Sequence, residues 1–137
     1  MNPILFILLL ASLTAAARGT DFHRDIQPLL ETRCISCHGS TKQKGNLDLS
    51  TLEAAIKGGD SGPGITPGNP AESELLTRIS LAHDDDIMPP KGAPVSIEQR
   101  AQLTAWVTQG AKWPDGIILV DKAPEDLTSP ADAEGLL

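Results

Sequence analysis

Apolar residues between Asp21 and Gly110 recur at helical rather than strand spacing, and four helices are predicted from that pattern and the polar residues breaking it. Phe22, Ile26, Leu29 and Leu30 share one face of a first helix that Asp21 can cap. Pro28 lies inside this stretch, where its missing backbone donor should kink or shorten the helix. Ser50 and Glu53 have capping-box spacing for a short second helix, stopped by Gly58-Gly59. Asn69-Pro70-x-Glu72 sets a cap, a proline at the first helical position and a box partner ahead of Leu75, Leu76 and Ile79. Ser96 with Gln99 opens a fourth helix, whose stripe is Leu103, Trp106, Val107 and Gly110 and whose end is Gly110. Gly58 to Pro70 and the acidic run Asp84-Asp85-Asp86 read as loops. Ile117 to Val120 is the single candidate for a short strand, and no internal repeat is visible. The predicted class is all-α, a small helical fold with long Gly/Pro-rich loops.

The N-terminus has a different character. Ile4 to Leu13 is an uncharged apolar run, followed by Ala15-Ala16-Ala17. This matches the hydrophobic region and small-residue cleavage site of a secretory signal peptide, although Met1-Asn2-Pro3 carries no Lys or Arg. The uncharged stretch ends at Arg18, short of the ~20 apolar residues of a spanning helix, so no stable membrane span is expected once it is cleaved after Ala17. The expected organisation is a signal peptide over 1–17, a domain over 18–116 and a C-terminal tail over 117–137. The chain is expected in the periplasm or an equivalent extracytoplasmic space, where cysteines meet oxidising conditions.

Composition sharpens the picture. At 137 residues the chain holds one small domain. Only 3% is aromatic, so the core must be aliphatic or filled by something other than aromatic side chains. A net charge of -7 argues against general affinity for nucleic acid or anionic membranes. It favours redox partners with a basic or weakly charged docking patch. Two cysteines exclude a disulfide-rich scaffold and a four-cysteine metal site within one chain.

Both cysteines and one of the three histidines fall in Cys34-Ile35-Ser36-Cys37-His38, a C-x-x-C-H arrangement. That is the attachment signature of c-type haem. Two thiols two residues apart on a helical turn can each reach a vinyl group of one porphyrin, and the following histidine can reach its iron. Two other chemistries use similar residues. A thioredoxin-like redox pair needs a βαβ pattern that the sequence lacks. A zinc site would have to recruit His23 or His83 as a fourth ligand. Covalent haem c also answers the composition, because a large flat cofactor can fill a core poor in aromatics.

The sequence around these residues resembles a known family. Phe22-x-x-Asp25-Ile26-x-Pro28-Leu29-Leu30 followed by Arg33-Cys34-x-x-Cys37-His38-Gly39 is similar to the opening of the planctomycete-type cytochrome c domain. The similarity runs on through Lys44-Gly45-x-Leu47-x-Leu49, Gly58 to Pro63, Met88-Pro89-Pro90, and Trp106 to Pro114. It implies an exported, cytochrome c-like fold around one covalently bound haem. Members often carry this domain at the front of larger proteins.

The sixth iron position has two candidates. Met88 precedes Pro89-Pro90 on a loop that can hold a thioether over the open haem face, and Met/His ligation is that of soluble cytochromes c. His83 lies on the same loop and is the rival. Ligation by His38 and Met88 would leave no site for substrate, so the expected function is electron transfer rather than catalysis. The alternatives are a haem-bearing module of a larger exported complex, and a peroxidase-like or gas-binding site if Met88 is not a tight ligand. Lys42, Lys44 and Lys91 are candidate partners of the haem propionates, and Trp106 a candidate to pack on the haem edge.

Overall fold

The computed structural model describes residues 19–80 and 86–124. The signal-peptide assignment, His83 with Asp84 and Asp85, and the end of the tail lie outside these residues. Four α-helices carry the fold: α1 (Gln27–Arg33), α2 (Leu52–Lys57), α3 (Glu74–Ser80) and α4 (Ile97–Thr108). Among the described residues there is no strand, and two isolated bridges, His38 with Gln43 and Gly59 with Gly62, merely close loops. The fold is all-α, as the periodicity requires.

Pro28 is accommodated in an instructive way. Asp21 caps the start, its carboxylate accepting from the Arg24 N–H at 2.7 Å. The first turn, Phe22–Ile26, is wound as a π-helix, and only at Gln27 does the chain tighten into α1. Pro28 therefore falls at the second residue of α1, at the junction with the wider π turn, where a residue without an N–H is tolerated. The predicted face survives the change of winding, with Phe22, Ile26, Leu29 and Leu30 all buried.

α4 follows its sequence signals closely. The Ser96 hydroxyl accepts from the Gln99 N–H, and the Gln99 side chain accepts from the Ser96 N–H, both at 3.1 Å. At the far end the Gly110 N–H donates to Val107 and the Ala111 N–H to Trp106, the paired bonds of a Schellman stop, with Gly110 at φ 105°. Leu103, Trp106 and Val107 are buried against the first turn and α3, while Gly110 is exposed.

Three local expectations are corrected. The cap of α2 is Thr51, not Ser50: the Thr51 hydroxyl accepts from the Ala54 N–H at 3.2 Å. The Ser50 backbone is engaged elsewhere, its N–H on the Asp48 carboxylate and its carbonyl accepting from the Leu119 N–H at 2.8 Å. The Asn69 segment does not run into one helix. Asn69 caps a 3-10 turn over Pro70–Glu72, and α3 begins afresh after Ser73. Ser73 is extended and buried, and its hydroxyl accepts from the Thr66 N–H and donates to the Asn69 carbonyl, both at 2.9 Å. Ile117 to Val120 is not a strand. Leu119 is buried in the core, and its segment is pinned to Ser50 and to Glu31 of α1 instead of to a partner strand. The segment from 117, counted with the tail in the sequence, lies on the domain as far as Lys122, whose N–H donates to the Glu31 carbonyl.

Candidate haem site

α1 ends by delivering the C-x-x-C-H residues in one further turn. The Cys34 N–H still donates to Leu30, and the N–H groups of Cys37 and His38 both turn back onto the Cys34 carbonyl, at 3.2 and 3.0 Å. This winding sends Ile35 into the core and turns Cys34, Cys37 and His38 to line one cavity of about 600 Å³. That volume lies in the ~300–1,000 Å³ range of small-molecule and cofactor sites.

The loops after the turn are stitched back to it. Lys44 N–H donates to the Cys37 carbonyl, and Leu49 N–H donates to the His38 carbonyl at 2.8 Å. Leu47, Leu49, Leu75 and Ile79 give the cavity apolar walls. One wall is the glycine loop Gly58 to Gly64, laid backbone against backbone. A Cβ at Gly58 would collide with the Gly62 carbonyl oxygen, and one at Gly59 with the Gly45 carbonyl oxygen. Gly58 also holds φ 72°, which disfavours any side chain.

Met88 reaches the same cavity from the loop between α3 and α4. It is half-buried against the core, its N–H donates to the Arg78 carbonyl at 3.0 Å, and its peptide bond to Pro89 is cis. The structure thus brings Cys34, Cys37, His38 and Met88 to one cavity. Lys42, Lys44 and Lys91 are exposed at its lining, and half-buried Arg33 lines it too. Arg78 pairs with Glu74 at 2.6 Å and with Asp86 at 3.5 Å, so its charge is locally balanced.

Electrostatics suits a haem protein better than the other two chemistries. Burial pushes the Cys34 thiol up to about 12, so it stays a protonated thiol at neutral pH, unlike the activated thiolate of a redox pair. Both cysteines are free thiols. Burial also lowers the pKa of His38, against an opposing pull from the backbone at Lys44 and Leu47. A neutral imidazole with a free lone pair is the form that binds a metal. The Nδ1 atom of His38 is buried with no hydrogen-bond partner. These features fit covalent haem c: paired thiols, a neutral buried imidazole with an unmatched polar atom, a thioether, and apolar walls.

Among the described residues no group of three or more His, Cys, Asp or Glu side chains could hold a metal ion. His23, one proposed zinc partner, lies away from the cavity with Nδ1 2.9 Å from Gln27 Oε1. The other, His83, is outside the described residues.

Trp106 does not line the cavity. It packs with Phe22 and Trp113, with ring centroids 4.9 to 6.1 Å apart, and its indole N–H donates to the Lys112 carbonyl at 2.9 Å. In the sequence the Arg33 guanidinium stands only within the family pattern. It donates to the Ala93 carbonyl, sixty residues along the chain, and no local pattern marks so distant a partner.

Residues 34–92 match the family model described as Planctomycete cytochrome C. No curated protein and no solved structure matches the chain.

Proposed function

We propose, from the match of residues 34–92 to the Planctomycete cytochrome C model, that the protein is an exported electron carrier with a single covalent haem. The observation that carries this reading is the convergence of Cys34, Cys37, His38 and Met88 on one apolar cavity. Bound there, haem supplies a one-electron iron couple.

The chain's own residues supply the rest. Cys34 and Cys37 hold the group by thioethers from a single helical turn. His38 ligates the iron as the neutral imidazole that its burial favours. Met88 ligates from the opposite loop, and a thioether raises the potential relative to a second histidine. Leu47, Leu49, Leu75 and Ile79 keep water from the cavity walls. Export follows from the apolar N-terminal run, and no described helix is long and apolar enough to cross a membrane. The partners are redox proteins. The net charge of -7 favours partners with a basic or weakly charged docking patch.

The test is covalent attachment in protein purified from the exported fraction. Haem should remain with the polypeptide on a denaturing gel stained for haem, and Cys37→Ala should weaken or abolish that band. Extraction of all the haem from the wild type by acid–acetone would refute the reading.

A further inference from the structure

We propose that Arg33 positions the sixth iron ligand by tying the Met88 loop to the helix that ends in the haem-binding turn. The inference rests on the reading that Met88 ligates. On its N-terminal side Met88 is held by its own N–H, which donates to the Arg78 carbonyl at 3.0 Å. The C-terminal side has no such backbone support. Pro89, Pro90 and Pro94 have no N–H to donate, and Gly92 sits at φ 79° in a stretch without regular structure. The next buried side chain is Val95.

Between Met88 and Val95, among the described residues, the tie to the rest of the protein is one hydrogen bond, from Arg33 Nη2 to the Ala93 carbonyl. Arg33 is the last residue of α1, immediately before Cys34, and it lines the cavity. Through it, the element presenting His38 and the loop presenting Met88 are joined directly. A forked guanidinium makes this a directional tether rather than a loose charge contact. Without it the loop explores more conformations, and an external ligand competes better with the thioether for the iron.

Imidazole titrations of the oxidised, haem-loaded protein followed by absorption test this, in wild type, Arg33→Gln, Met88→Ala and the double variant. Arg33→Met serves as a second tether deletion that keeps the aliphatic stem, and Arg24→Gln is the control. Arg33→Gln and Arg33→Met should each raise imidazole affinity about tenfold and weaken the far-red sulfur-to-iron band. In the Met88→Ala background the same changes should have no further effect, because the tether then has no ligand to hold. If Met88→Ala raises affinity but the Arg33 variants match wild type, the tether is refuted while Met88 ligation stands. An Arg33 effect that persists undiminished in the Met88→Ala background also refutes it. If Met88→Ala leaves affinity unchanged, Met88 is not the ligand and both readings fall.

Discussion

Lys122 grips Glu31 twice: its ammonium meets the carboxylate at 2.7 Å and its backbone N–H donates to the Glu31 carbonyl at 2.9 Å. Glu31 is only 2% exposed and also accepts from the Gln27 side chain at 3.2 Å and the Val120 N–H at 3.3 Å. The segment after Trp113 is thereby strapped across α1.

The strap predicts an acid-sensitive share of stability. Burial acts to raise the Glu31 pKa, but Lys122, Gln27 and Val120 outweigh it and the carboxyl sits below its ordinary value. A depressed carboxyl contributes stability above its unfolded pKa of ~4.3, and that contribution is lost as pH falls through the folded value. Lys122→Met should cost ~1–3 kcal/mol in urea unfolding at neutral pH and flatten the acid limb of the stability profile. Unchanged midpoints at neutral pH would show that the strap carries no load.

A second prediction concerns the aromatic trio. Trp106 is 3% exposed, and Trp106→Ala should destabilise by ~3–5 kcal/mol through the cavity it leaves. Trp106→Phe keeps the contacts with Phe22 and Trp113 but strands the Lys112 carbonyl, at a cost of ~0.5–1.5 kcal/mol. Because Trp106 does not line the haem cavity, the visible spectrum of the folded Phe variant should match wild type. A shifted Soret band there would place the indole nearer the haem than the structure does.

The third concerns the chain without its cofactor. The cavity walls are apolar, and at ~25 cal/mol per Å² their loss of contact with a porphyrin is comparable to a marginal stability of ~5–15 kcal/mol. Protein made where haem is not attached should show helical far-UV circular dichroism without a cooperative melt. A sharp melt of haem-free chain would contradict this.

What was legible in the sequence was local. The Ser96 box, the Gly110 stop and the buried face of Phe22, Ile26, Leu29 and Leu30 involve residues within a turn or two of each other. Two of the failures, at Ser50 and at Ile117 to Val120, have the opposite property, and the third is decided by a side chain within its own loop. Ser50 satisfies the capping spacing, yet its carbonyl is claimed by Leu119, so the cap moves to Thr51. Asn69 caps as expected, but the Ser73 hydroxyl is bound into the Thr66–Asn69 loop and splits the helix. Ile117 to Val120 has strand-like residues, but the groups its N–H donors meet belong to Pro114, Ser50 and Glu31 rather than to a strand. At the site, C-x-x-C-H is compact enough to read directly. The bond from Arg33 to the loop that carries Met88 spans 60 residues and carries no motif.

The fourth prediction separates Met88 from His83. Met88→His should keep the iron six-coordinate but lower the potential, since imidazole favours the oxidised iron more than a thioether does. His83→Ala should leave both potential and far-red band unchanged. Redox titration of the two variants beside wild type decides it: a His83→Ala protein that loses its sixth ligand would transfer the role to His83.

The glycine loop has a geometric consequence. Gly59, Asp60, Ser61, Gly62 and Gly64 all line the cavity, and Asp60 and Ser61 are also exposed to solvent. Along this stretch the glycines present main chain rather than side chain to the cavity, and the loop is backed closely by the main chain of Gly45. Electron tunnelling weakens steeply with distance. On the proposed electron-transfer reading, a redox partner docked at this wall meets less intervening side chain than one docked over α4, none of whose residues lines the cavity.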